Sequence, residues 1–166
     1  VRDQAVLERV ALGDPDHRAR SMAVNNLVDQ RVLKTVALED VHPEVRAQAV
    51  ARVAEQELLQ ELARAPNLDV RLLAVERLES QPVLADIARN DPLAEVRRAA
   101  VLRLHDQETI AAIARADPEA LVRQAALRML MDEETLLFLR DHDPNPELRQ
   151  EAGQRVRDLG GGRGWF

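Results

Sequence analysis

One pattern recurs along this chain at a nearly constant step, and it restricts the possible fold more than any other feature. Its clearest copy is Asp91-Pro92-Leu93-Ala94-Glu95-Val96-Arg97-Arg98-Ala99-Ala100-Val101-Leu102-Arg103-Leu104. Aligned on the central arginine, the copies give Arg20, Arg46, Arg71, Arg97, Arg123 and Arg149, separated by 26, 25, 26, 26 and 26 residues. Self-similarity at such a period marks a stacked repeat, in which each unit is one supersecondary element.

Positions numbered from that arginine define the first helix of the repeat. Position −1 holds Ala19, Val45, Val70, Val96, Val122 and Leu148, and position +3 is always alanine, from Ala23 to Ala152. Position +4 holds Val24, Val50, Val75, Val101, Leu127 and Gly153. Position +7 holds Leu27, Val53, Leu78, Leu104, Leu130 and Val156. These four offsets form one apolar stripe on an α-helix. The constant alanine points to close helix–helix approach, because a larger side chain would hold the backbones apart.

The start of this helix (helix A) is read from position −6, where Asp14, Asp40, Asp91, Asp117 and Asp143 stand and Ala65 is the exception. Proline follows at Pro15, Pro92, Pro118 and Pro144. An aspartate N-cap followed by proline in the first helical position is expected from free N–H groups that need an acceptor. A second, shorter helix (helix B) is expected after acidic or Ser-Gln pairs at +9/+10, with apolar residues at +13, +16 and +17 such as Leu84, Ile87 and Ala88. Neither helix can bury its stripe alone, so stacked neighbours must supply the core.

The Asp-Pro-x-x-x-Val-Arg-x-x-Ala pattern resembles short HEAT-like repeats and the bacterial leucine-rich-repeat variant, from the start of the chain to Asp158. That resemblance implies an all-α, right-handed α-α superhelix (solenoid) of about six two-helix repeats that serves as a protein-binding scaffold. The leucine-rich variant can carry an iron–sulfur cluster on a cysteine module. This chain has no cysteine, so that feature is not carried over.

The boundaries expected are a half repeat over 1–13, repeats over 14–39, 40–64, 65–90, 91–116 and 117–142, a last helix over 143–158, and a Gly-rich tail over 159–166. Glycine this dense disfavours helix. The tail ends in Trp165 and Phe166, expected either to fray or to fold back on the stack. The chain opens on a helix B pattern and on Val1 rather than methionine, so a fragment of a longer bacterial protein is expected. The absence of a signal peptide then says nothing about the parent.

Composition narrows the function classes. The net charge is −6 and only 2% of residues are aromatic, so nucleic acid is not the expected partner. Without cysteine there are no disulfides or thiolate metal sites, and a reducing, cytoplasmic location is expected. No apolar run is long enough to span a membrane. Phosphate-loop, nucleophile-elbow and metalloprotease spacings are missing. No enzyme activity, catalytic residue, cofactor or metal is expected.

The repeated arginine lies ~35° from the stripe centre, which turns six guanidinium groups partly into the stack. The expected role of Arg20, Arg46, Arg71, Arg97, Arg123 and Arg149 is a structural ladder bonded to Asp-Pro turns, with Asp91, Asp117 and Asp143 among the acceptors. Further arginines at +6 (Arg52, Arg77, Arg103, Arg155) and +18 (Arg64, Arg89, Arg115) could track a phosphate backbone, as in HEAT-like DNA glycosylases. The interleaved Glu44, Asp69, Glu95 and Glu147 instead read as a salt-bridged face. His17, His42, His105 and His142 are expected as separate surface turn residues.

Positions +14 and +15 of helix B should face a groove. They change from polar (Lys34/Thr35, Gln60/Glu61) to apolar (Ala111/Ala112, Leu137/Phe138) along the chain. Such a patch usually means a contact, and three candidates are open: the C-terminal tail, the next helix B of a longer array, and a partner protein. The expectation is a monomeric, non-enzymatic scaffold that binds a protein or peptide through Ala111, Ala112, Leu137 and Phe138. The alternatives are a nucleic-acid-binding HEAT-like module and a regulatory or lyase-type HEAT-like subunit.

Overall fold

The structure, a computed structural model, describes residues 3–161. Among these residues the chain is all-α, with twelve helices in a helical-repeat arrangement and no strand. In order they are α1 (Gln4–Gly13), α2 (His17–Val24), α3 (Gln30–Glu39), α4 (Pro43–Arg52), α5 (Gln56–Leu62), α6 (Leu68–Val75), α7 (Gln81–Asn90), α8 (Ala94–Val101), α9 (Gln107–Ala116), α10 (Ala120–Met129), α11 (Glu133–His142) and α12 (Pro146–Gly161). Even-numbered helices carry the ladder arginines and correspond to helix A; odd-numbered ones are helix B.

The chain divides into two compact units, Val1–Glu79 and Ser80–Phe166. In the first unit α1 packs on α2, α3 on α4 and α5 on α6. Like helices also stack, α1 on α3 on α5 and α2 on α4 on α6. The second unit repeats this plan with α7/α8, α9/α10 and α11/α12, and with the rows α7-α9-α11 and α8-α10-α12. The packed hairpin is therefore helix B, Asp-Pro turn, helix A. Boundaries drawn at the −6 aspartate cut each hairpin in its turn. The short turn forces its two flanking helices together, whereas the A-to-B link joins one hairpin to the next.

The stripe positions form the core. The alanines at +3 are at most 3% exposed, and Leu27, Leu78, Leu104 and Leu130 at +7 are at most 1% exposed. Leu33, Leu59, Leu84, Ile110 and Leu136 at +13 are equally buried. Each such leucine contributes roughly 1.5–3 kcal/mol of transfer free energy. The exceptions lie in the first and last hairpins, where Val10, Ala19 and Val156 are only half-buried.

Three local expectations are corrected. The −6 aspartate is not the N-cap of helix A. Asp14, Asp40, Asp91, Asp117 and Asp143 are instead the residues that close α1, α3, α7, α9 and α11. Each carboxylate accepts the N–H two residues on, as in Asp117 Oδ1 from Glu119 N at 2.9 Å. The following proline lies in that turn, where a short side-chain acceptor and a fixed φ favour a bend over a helical start. Helix B is not the shorter helix, for α1, α3, α7, α9 and α11 each span 10 residues and only α5 has 7. The last helix does not stop at Asp158. α12 runs to Gly161, since extending an existing helix gains one hydrogen bond per residue ordered. The rest of the expected tail, with Trp165 and Phe166, lies outside the described residues.

Candidate functional site

The repeated arginines hold hairpins together. Arg123 on α10 gives Nε and Nη2 to the two oxygens of Asp143, 20 residues on, at 2.8 and 3.0 Å. Its Nη1 donates to the carbonyl of Asp117 in its own turn at 2.9 Å. Arg20 with Asp40 and Arg97 with Asp117 have the same fork, at 2.7–2.9 Å. Arg20, Arg97 and Arg123 are all buried. Burial pushes the Asp143 carboxyl up. The Arg123 hydrogen bonds, the Asn145 N–H and two guanidinium charges outweigh it and hold Asp143 below the usual carboxylate range. Asp40 is held low in the same way, by Arg20 and the His42 N–H against burial.

The remaining rungs vary. Ala65 cannot supply a carboxylate, and Arg46 turns to Asp69 on α6, with Nε and Nη2 both on Oδ2 at 3.0 and 2.8 Å. Arg71 donates Nε to the Ala65 carbonyl at 2.5 Å. Arg149 donates Nη1 to the Asp143 carbonyl at 2.7 Å. Asp91 accepts the Leu93 N–H through its carboxylate and the Arg97 Nη1 through its carbonyl.

The other arginine rows are tied to the fold as well. Arg52, Arg77 and Arg155 reach back to the carbonyls of Leu27, Val53 and Leu130 at 2.6–2.8 Å, each at or just past the end of the preceding helix A. Arg89 and Arg115 donate to the hydroxyls of Thr109 and Thr135, at 2.6 and 2.7 Å. Both threonines are buried in the stack, and sequence reading did not single them out.

A second ladder also escaped that reading. The glutamine at +10, expected only as a helix-start mark, clamps the link that leaves its own hairpin for the next one. Gln107 donates to the Met129 carbonyl at 3.2 Å and accepts the Met131 N–H at 2.9 Å. Gln4, Gln56 and Gln81 do the same one repeat on, at Asn26/Val28, Arg77/Glu79 and Arg103/His105. Its recurrence at one position with a fixed amide was the available signal.

The histidines are not all separate. The rings of His17 and His42 lie 4.5 Å apart and parallel within 4°. Being one repeat apart is what brings them together, because stacking makes residues about 26 apart neighbours. The Arg20 Nη2 lies 3.1 Å from His42 Nδ1, so that nitrogen accepts and His42 carries its proton on Nε2.

The apolar candidates gather on α9 and α11 in the second unit. Ala112 and Phe138 are exposed, and Ala111 and Leu137 are half-buried. Ala111 and Ala112 line an open groove of about 570 Å³ with Gln107, Arg115, Asp132 and Thr135. Phe138 is held beside it. Its ring stacks on His142 at 4.7 Å, and the Arg115 guanidinium lies over it at 5.2 Å. The phenyl ring thus packs against both an imidazole and a guanidinium.

Among the described residues no three His, Cys, Asp or Glu side chains come together as a metal site would need. No helix there is long and apolar enough to cross a membrane. No protein-family model matches the chain, and neither a curated protein nor a solved structure matches it.

Proposed function

We propose that this chain is a non-enzymatic scaffold of the HEAT-like type that binds a protein or peptide along the helix B face of its second unit. The observation that carries this reading is the pairing of the exposed Ala112 and Phe138 beside an open groove on α9 and α11. A shallow apolar floor with an aromatic at one side suits an apolar side chain of an extended or helical segment. A nucleic-acid role finds little support, since most arginines of the three rows already bond to carboxylates, hydroxyls or carbonyls. Few remain to neutralise phosphate.

The test is a pull-down with the wild type and an Ala112→Asp/Phe138→Asp variant as baits, with circular dichroism as the check on folding. A protein captured by the wild type and lost by the folded variant is the expected result. Identical captures from both baits would place the contact elsewhere.

A further inference from the structure

The groove between α9 and α11 is unevenly charged. Its lining carries Glu108 and Asp132 against Arg115. The Arg115 guanidinium is already engaged: it donates to the Thr135 hydroxyl at 2.7 Å, stands 3.7 Å from Glu134 and lies over the Phe138 ring. Asp132 caps α11 and accepts the Thr135 N–H at 2.9 Å. The Thr135 hydroxyl, and then its N–H, hold the Asp132 carboxyl below the usual range, so it is ionised near neutral pH. Glu108 has no such ties. It is exposed in the first turn of α9, and its carboxylate takes no hydrogen bond or ion pair among the described residues.

The neighbouring positions add to this imbalance. Glu134 holds on α11 the place that Glu108 has on α9, one repeat on, and its side chain is 87% exposed. Ala112 also lines a second hollow, of about 370 Å³, between α7 and α9. The guanidinium groups there are spent as well. Arg89 donates to the Thr109 hydroxyl, and Arg97 forks onto Asp117. Both hollows lie between helices of the second unit. Their cations are committed to the fold, whereas the Glu108 carboxylate beside the alanine floor is not.

We infer that the segment seated in this groove is cationic and amphipathic, laying an apolar side chain on Ala111 and Ala112 and a lysine or arginine on Glu108. The inference rests on the reading of this groove as the binding face, and adds the chemistry of its occupant. An acidic segment would set its carboxylates against Glu108, Asp132 and Glu134, while the Arg115 guanidinium is already engaged. A cation on the segment meets Glu108 with no existing pair to break first. Because Glu108 is exposed, the ion pair is weak, and charge decides which segment is preferred more than how tightly it is held.

The test is fluorescence anisotropy on the 166-residue chain with short labelled peptides of leucine and lysine, of leucine and glutamate, and of leucine and serine. The Leu/Lys peptide should bind tightest, and added salt should narrow its lead. Glu108→Gln should weaken that peptide about twofold to fivefold, the range of an exposed ion pair, and leave the Leu/Ser peptide unchanged. Ala112→Gln fills the floor without adding charge and should weaken every probe. Both positions are exposed, so the variants should keep the fold, which circular dichroism checks. A Leu/Glu peptide that binds as tightly as Leu/Lys overturns the inference, as does a Glu108→Gln variant that binds Leu/Lys like the wild type. If Ala112→Gln still weakens the probes in that case, the groove reading survives. Probes that do not bind, or that bind untouched by Ala112→Gln, overturn the inference and the groove reading together.

Discussion

The Arg123 and Arg46 rungs do the same job with different parts. At Arg123 the acceptor is Asp143, set in the turn, and the side chains are 7% and 1% exposed. Each of two nitrogens meets its own oxygen. At Arg46 the turn carries Ala65, and the carboxylate comes from Asp69 in the first turn of α6. There one oxygen serves both nitrogens, and the exposures are 14% and 34%. The missing residue in the 25-residue step accompanies a shortened α5 and a turn that no longer presents an aspartate. The stack fixes where the guanidinium points, and any backbone site within reach can supply its counter-charge. What changes is how dry the pair is, and hence how much depends on it.

This contrast can be broken at its strong end first. Asp143→Ala leaves the Arg123 charge buried without its partner, and should cost about 3–5 kcal/mol in urea-unfolding free energy. Asp143→Asn should recover part of that loss, because an amide still accepts the Asn145 N–H and one guanidinium bond.

Acid should act on the same rung more gradually. The folded-state carboxyls of Asp143 and Asp40 are held below their ordinary range. Their contribution is complete above the unfolded-state carboxylate pKa, and is lost as the pH falls below it through the lowered folded value. Denaturant titrations at a series of pH values below about 4 should display this acid limb. It should be shallower in Asp143→Asn, and a limb unchanged in that variant would remove Asp143 as its cause.

The smallest effect belongs to the weak rung. Asp69→Ala should cost less than about 1 kcal/mol, as for a solvent-screened pair, and the loss should shrink with added salt. A cost equal to that of Asp143→Ala would mean that the two rungs are energetically alike despite their exposure.

Much of the fold was legible because burial leaves a periodic trace. Val96, Ala100, Val101 and Leu104 recur at offsets that only a helix collects on one face, and all are buried. The inward tilt of Arg97 followed from the same geometry. The role of Asp117 was read less well. An aspartate before proline and a helical run looks like an N-cap, yet it closes the preceding helix and receives Arg97. Arg140 at +17 and Gly153 at +4 are the exceptions in their series, where the other copies hold alanine and valine or leucine. A Cβ added at Gly153 would lie 3.5 Å from Arg140 Cγ, in ordinary contact, so the two positions face each other across α11 and α12.

The sequence by itself determined the helices, the step between repeats and the identity of the buried stripe, since these depend on residues within one or two turns of each other. Tertiary structure decided which helices form a hairpin, which carboxylate answers each arginine, what the glutamines clamp and that His17 lies on His42. Those contacts join residues 20 to 25 apart. Such residues become neighbours only when the two helices of a hairpin pack together or one hairpin stacks on the next, and no local pattern of polarity records which partner lies within reach.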